Sequence, residues 1–217
     1  MIAVIARITV FVAALLLAPG APAQSPATAQ EQSSLPARSI PAAELLAALR
    51  QGGYILYFRH AATDFSQNDK NMKSDEDCAN QRNLIDKGRS DARAIGSAIR
   101  ELRIPVGRVL ASTVCRTVET AELVFGRAEK MPEVRGGPAA PESRDRYAGL
   151  RKILATPVPK GTNLAVASHG NPFLSVAGPP YLAEGEAAVI RPLGNSFEVI
   201  ARMRVEDWDA LRRAADR

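Results

Sequence analysis

The apolar residues of this chain come in short, dense runs parted by polar stretches. Tyr54-Ile55-Leu56-Tyr57-Phe58 is apolar throughout and stops abruptly at Arg59-His60, the pattern of a strand buried on both faces. Arg108-Val109-Leu110-Ala111-Ser112 and Asn163-Leu164-Ala165-Val166-Ala167-Ser168 repeat it, and Ala187–Arg191 and Ser196–Arg202 predict two further strands. Helical signals lie between these runs. Pro41–Arg50 has proline in its first turn and Gly52-Gly53 past its end. Within Asp86–Leu102, Ala92, Ile95, Ile99 and Leu102 recur at helical spacing before Pro105. Thr117–Phe125, Ser143–Leu154 (with Tyr147, Leu150 and Leu154 on one face) and Asp207–Ala215 complete the set. Thr63–Asn83 is polar and irregular, a long loop, and Met131–Arg144 holds too many prolines and glycines for regular structure. Alternating helices and buried strands predict an α/β fold, a three-layer α/β/α sandwich with a largely parallel central sheet.

The first residues fall outside that pattern. Arg7 precedes an apolar stretch from Ile8 to Ala18, and Pro19-Gly20-Ala21-Pro22-Ala23 follows. A short apolar segment ending in small residues predicts a secretory signal peptide over residues 1–23, cleaved after Ala23. It is too short for a stable membrane anchor, which needs about 20 apolar residues. Residues 24–38, rich in Ala, Gln, Ser and Pro, read as a flexible leader, and residues 39–217 as the folded domain. The expected location is therefore periplasmic or secreted. In that oxidising setting the chain's two cysteines, Cys78 and Cys115, are expected to pair.

Composition narrows the function classes. Lys and Arg number 28 against 23 Asp and Glu, a net charge of +5, but no run resembles a nucleic-acid arm. Aromatic residues make up only 5%, too few for base-stacking platforms, so no nucleic-acid partner is expected. There are just two histidines, His60 and His169, and with the two cysteines they show no paired ligand spacing; neither metal nor cofactor is expected.

The chemistry concentrates at strand ends. Arg59-His60 follows one buried run, Ser112 with Arg116 another, and His169 a third. Ligand crevices of open α/β sheets lie beyond the carboxyl ends of their strands, so neighbouring strands would bring both histidines and both arginines to one pocket. These segments resemble the histidine phosphatase superfamily, also called phosphoglycerate mutase-like. The match runs through Tyr57-Phe58-Arg59-His60-Ala61, Gln81-Arg82-Asn83-Leu84 with Gly88, Ser112 to Ala121 with Arg116 and Thr120, and Ser168-His169-Gly170. In order and strand context it spans about residues 42–203.

The resemblance implies a phosphatase in which His60 takes the phosphoryl group while Arg59, Arg116 and His169 bind the phosphate. Imidazole is a competent nucleophile toward phosphorus, and guanidinium forks match phosphate oxygens. Gly170-Asn171 stands where the acid phosphatase branch carries an acidic residue after its second histidine, and the long substrate loop of the mutases is not evident. The chain thus resembles small, exported bacterial members, acting on a small-molecule or glycan phosphate ester. For the proton donor two carboxylates stay open. Glu142 lies where mutase-like relatives carry theirs, and Asp64 sits four residues past His60. A phosphoryl-binding domain with little or no turnover is the alternative function. Oligomeric state is not legible.

Export and pairing are checked by one measurement. The intact mass of the exported protein should be that of a chain starting at Gln24 less two hydrogens, with no alkylatable thiol before reduction. A full-length mass, or two reactive thiols, contradicts the corresponding expectation.

Overall fold

The apolar run of β1 (Ile55–Arg59) lies near the middle of a six-stranded sheet. The structure, a computed structural model, describes residues 40–135 and 145–215. The expected signal peptide and leader, and Glu142, lie outside them. The remaining strands are β2 (Val106–Ala111), β3 (Glu129–Lys130), β4 (Asn163–Ser168), β5 (Ala187–Pro192) and β6 (Phe197–Met203), in spatial order β3-β2-β4-β1-β5-β6. The first four run parallel; β5 pairs antiparallel with β1, and β6 with β5.

Both faces of the sheet are covered, as uniformly apolar strands require. Leu56 and Phe58 point into a core with α1 (Ala42–Gln51), α2 (Asp86–Glu101), α3 (Cys115–Phe125) and α6 (Asp207–Ala215). There Phe58 stacks on Trp208, 6.1 Å between centroids, and meets Phe125 edge-on. Ile55 and Tyr57, the alternate residues, point into a second core with α4 (Ala148–Ala155) and α5 (Gly170–Ala177). This is the expected three-layer sandwich with its largely parallel sheet.

Several boundaries differ from expectation. β2 starts at Val106, where a register irregularity lets it pair with Asn163 before the regular ladder resumes at Val109. α3 starts at Cys115 rather than Thr117. α4 starts only at Ala148, because residues 145–147 form a turn in which Asp145 accepts the Tyr147 amide at 3.0 Å. Helix α5, which opens with Gly170-Asn171-Pro172, has no counterpart among the predicted elements. Proline is tolerated there because a helix's first-turn amides have no carbonyl partner within the helix. β3 is only two residues long, below any periodicity signal.

One close approach links helix packing to the chemistry. Gly88, in the first turn of α2, lies against the backbone of Ala62, and a Cβ there would sit 2.3 Å from the Ala62 carbonyl oxygen. That carbonyl accepts the Ile85 amide just before α2 starts, at 3.0 Å. Gly88→Ala should force the two segments apart and destabilise the fold by about 1–3 kcal/mol. In urea unfolding the midpoint should drop at unchanged slope; an unmoved midpoint means that the segments yield freely.

Candidate active site

The parallel register sets the site. Arg59 pairs with Ser168 across β1 and β4, and Ala111 with Ala167 across β2 and β4. One residue further, the His60 amide donates to the Ser168 carbonyl at 3.0 Å, and the Ser112 amide to the Ala167 carbonyl at 2.9 Å. Three strand ends therefore finish at one level. The two imidazoles meet there edge-on, 5.4 Å between ring centroids, both buried.

The backbone selects the tautomer of His60. Its Nδ1 lies 3.0 Å from the Ala61 carbonyl oxygen, which can only accept, so Nδ1 carries the hydrogen. In the neutral ring Nε2 is left with its lone pair. The Ala61 amide in turn donates to Thr120 Oγ1, whose hydroxyl donates to the Arg116 carbonyl at 2.7 Å. Burial, aided by the charges of Arg116, Arg59 and Arg82, lowers the pKa of His60 from 6.5 to about 3. His169 lies well below its ordinary value too, through burial and then through His60 and Arg116. Its Nε2 bonds the Ser112 hydroxyl at 2.9 Å, and the buried Tyr57 hydroxyl donates to its carbonyl at 2.8 Å.

The arginines close around these rings. Arg59 donates from Nη1 to the Leu182 carbonyl at 2.8 Å and from Nη2 to Glu184 Oε1 at 3.3 Å, its guanidinium 5.0 Å from the Tyr181 ring centre. Arg116, in the first turn of α3, donates from Nη1 to Asp69 at 3.1 Å and to the Arg82 carbonyl at 3.4 Å. The Nε atoms of Arg59 and Arg116 are both buried without a partner among the described residues. Arg59, Arg82, Arg116, Arg146, His60 and His169 together line a cavity of about 330 Å³, with Tyr147, Tyr181 and Asn171 among the other walls.

The 63–85 loop is fastened beside them. Cys78 and Cys115 form a disulfide, the expected pairing, which ties the loop to the residue before Arg116. Gln81, buried, accepts the Cys115 amide at 2.9 Å and donates to the Asp75 carbonyl at 2.8 Å. Asp69 accepts both the Arg82 amide, at 2.8 Å, and the Arg116 guanidinium.

His60, Arg59, Arg116 and His169 are thus brought together as the sequence predicts. Asp64 is not with them: its carboxylate accepts the amide and hydroxyl of Ser66 at 2.9 and 2.6 Å, and it does not line the cavity. Those two hydrogen bonds hold it below the usual carboxylate range, the wrong direction for a group that must carry a proton at neutral pH. Glu142 lies outside the described residues. Sequence reading passed over the roles of Arg82 and Arg146 in the wall and of Asp69 and Glu184 behind it. Arg82 stands inside a matched motif; the other three have no local signal, since Glu184 reaches Arg59 across 125 positions.

The histidine shifts fix a sign for acid stability. From pH 6.5 down to about 3 the unfolded chain binds a proton that folded His60 refuses, so stability falls as pH drops through that window. The slope is at most about 1.4 kcal/mol per pH unit for each histidine. Denaturant unfolding between pH 7 and 4 should show a shallower acid decline for His60→Ala than for wild type. Equal slopes would mean that His60 titrates normally in the fold.

Residues 55–137 match the Histidine phosphatase superfamily (branch 1). No curated protein matches the chain. Among solved structures, that of the protein histidine phosphatase SixA complexed with tungstate is similar with a TM-score of 0.50 at 17% identity, over 71% of this chain and 98% of that one. The putative phosphohistidine phosphatase SixA from Agrobacterium tumefaciens gives 0.47 at 16% over 70% and 97% of the two chains. A phosphoglycerate mutase from Bacillus anthracis gives 0.46 at 13% over 77% and 100%. At such identities the first comparison speaks for the fold alone, and the other two add no argument. The sequence match covers β1, the 63–85 loop, α2, β2 and α3, and the structure adds His169 to the same rim; over that span the chain is similar to the histidine phosphatase superfamily.

Proposed function

We propose that this chain is an exported phosphomonoesterase that works through a phosphohistidine on His60. One observation carries the reading. Nε2 of His60, which has no hydrogen-bond partner among the described residues, belongs to a neutral imidazole in the wall of a cavity that also holds four arginines. Two of those arginines keep a buried Nε–H with no partner among the described residues. Buried donors of this kind call for an acceptor from outside. Charge agrees with a monoester: the four guanidiniums are offset, among the described residues, by Asp69 on Arg116 and Glu184 on Arg59. The two positive charges left over match a phosphate dianion better than a singly charged diester. A solved structure of the same fold holds tungstate, a tetrahedral oxyanion of similar shape.

The proposed steps use that geometry. The lone pair on Nε2 attacks phosphorus, and the bond from phosphorus to the ester oxygen breaks. The ring becomes a phosphoimidazolium that keeps its Nδ1–H on the Ala61 carbonyl. Arg59 and Arg116 donate to the equatorial oxygens, where charge gathers during transfer. With Ser112 donating to its Nε2, His169 carries its hydrogen on Nδ1 and adds a further donor. Water then attacks phosphorus, the P–N bond breaks, and orthophosphate leaves His60 neutral again. An alkoxide leaving group requires a proton. Glu142 keeps that role as the expectation, since Asp64 is engaged by Ser66. The signal-like start and the Cys78–Cys115 disulfide support export, and a small-molecule or glycan phosphate ester is the substrate class.

Denaturing the enzyme in mid-turnover of p-nitrophenyl phosphate should yield an acid-labile, alkali-stable phosphoprotein, absent in His60→Ala. Arg59→Ala and Arg116→Ala should each lower turnover by a factor of about 100 or more. Activity should survive a strong chelator. Near wild-type hydrolysis by His60→Ala sinks the mechanism, and absence of hydrolysis by wild type favours the phosphoryl-binding alternative.

A further inference from the structure

Glu184 stands on the loop between α5 and β5 and does not line the cavity. It is nonetheless only 13% exposed and tied to the site at every turn. Its Oε1 accepts the Thr63 hydroxyl at 2.7 Å and Arg59 Nη2 at 3.3 Å, and its Oε2 accepts the Thr63 amide at 3.1 Å. Arg82 Nη2 is 4.0 Å away. The same Oε1 lies 3.9 Å from Nδ1 of His60, at the edge of the ring away from the attacking nitrogen. The backbone fixes this placement, since the next residue, Gly185, donates its amide to the His60 carbonyl at 2.9 Å. Glu186 then accepts the Arg59 amide at 3.0 Å.

We propose that Glu184 is a positioning residue for phosphoryl transfer, which holds Arg59 against the phosphate and faces the Nδ1 edge of His60 with the charge that its phosphorylated ring needs. The assignment rests on His60 as the nucleophile. In the resting enzyme the ring is neutral, so the 3.9 Å contact is no ion pair and the carboxylate's ionic partner is Arg59. When Nε2 bonds to phosphorus, the ring gains a positive charge with Nδ1–H still on the Ala61 carbonyl. The attraction to Glu184 then switches on, stronger in the transition state than before it, and only such an interaction speeds the chemical step. Arg82 and Arg116 oppose a cation at His60, and Glu184 offsets them without occupying the cavity. Thr63, whose amide and hydroxyl grip the carboxylate, holds it between Arg59 and the edge of His60.

The test separates charge from scaffolding. Phosphoenzyme formation from p-nitrophenyl phosphate is followed by rapid quench in wild type, Glu184→Gln and Glu184→Asp, with inhibition by inorganic phosphate measured alongside. Glu184→Gln keeps an acceptor for Thr63 but loses the charge. Its phosphorylation rate should fall about tenfold to a hundredfold, with KM and phosphate inhibition within about threefold of wild type. Glu184→Asp keeps the charge and should recover part of the rate. If Glu184→Gln does not fold, Glu184→Asp is read alone, and a phosphorylation rate several-fold below wild type at unchanged KM is expected. An unchanged rate overturns the proposal, as does weaker phosphate binding with an unchanged rate, which would make Glu184 a support for Arg59 alone. A wild-type enzyme that hydrolyses phosphate esters without phosphorylating His60 removes the nucleophile, and Glu184's role with it.

Discussion

Four guanidiniums around one cavity repel one another, and the architecture of this site is the way that repulsion is contained. Among the described residues each counter-charge sits behind the wall rather than in it: Asp69 on Arg116 and Glu184 on Arg59. A carboxylate inside the cavity would compete with phosphate for the same donors. Placed behind, it holds each guanidinium in position and leaves the Nε–H unspent. The same cations, with burial, keep His60 and His169 uncharged, so the field that attracts a dianion also preserves the lone pair that attacks it.

Holding such a cluster needs a stiff frame. The frame is a parallel ladder, because only parallel neighbours bring three carboxyl ends to one rim. β4 lies between β1 and β2, which places His169 beside both His60 and Ser112. Buried side chains fill both faces of the sheet, so the strand ends have little freedom to shift. Apart from Leu84 the 63–85 loop has no such packing and is fastened otherwise. Its attachments are the Cys78–Cys115 disulfide, the buried Gln81 and the Asp69 carboxylate, all close to Arg116. A disulfide here does more than limit the unfolded chain: it joins the loop that supplies Arg82 to the helix that supplies Arg116.

Tyr57 shows how one strand serves both core and site. Its ring packs on Phe173 of α5, 5.0 Å between centroids, while its hydroxyl donates to the His169 carbonyl. α5 therefore reports on the position of the second histidine, although no reading of Gly170-Asn171-Pro172 announces a helix.

The sequence by itself determined the layers, the strands and the groups that meet. Uninterrupted apolar runs demand cover on both faces, and the helices that alternate with them supply it in an α/β sandwich with a mostly parallel sheet. Polar groups placed at or just past the ends of those runs had to emerge at the carboxyl ends, so the meeting of His60, Arg59, Arg116 and His169 was legible from position, and their roles from the family resemblance. What tertiary structure decided is the pairing of charges and the tautomer. Asp64, four residues from His60, turns onto its own neighbour Ser66, because a nearby amide and hydroxyl satisfy a carboxylate without any help from the fold. Glu184 reaches Arg59 and the edge of His60 only because β5 returns antiparallel along β1 and carries the preceding loop back to the rim. The hydrogen on Nδ1 follows from a carbonyl orientation that no pattern of residue types encodes. Hydrophobic burial acts through periodicity and can be read along the chain, whereas electrostatic pairing depends on distances of a few ångströms that exist only once the chain has folded.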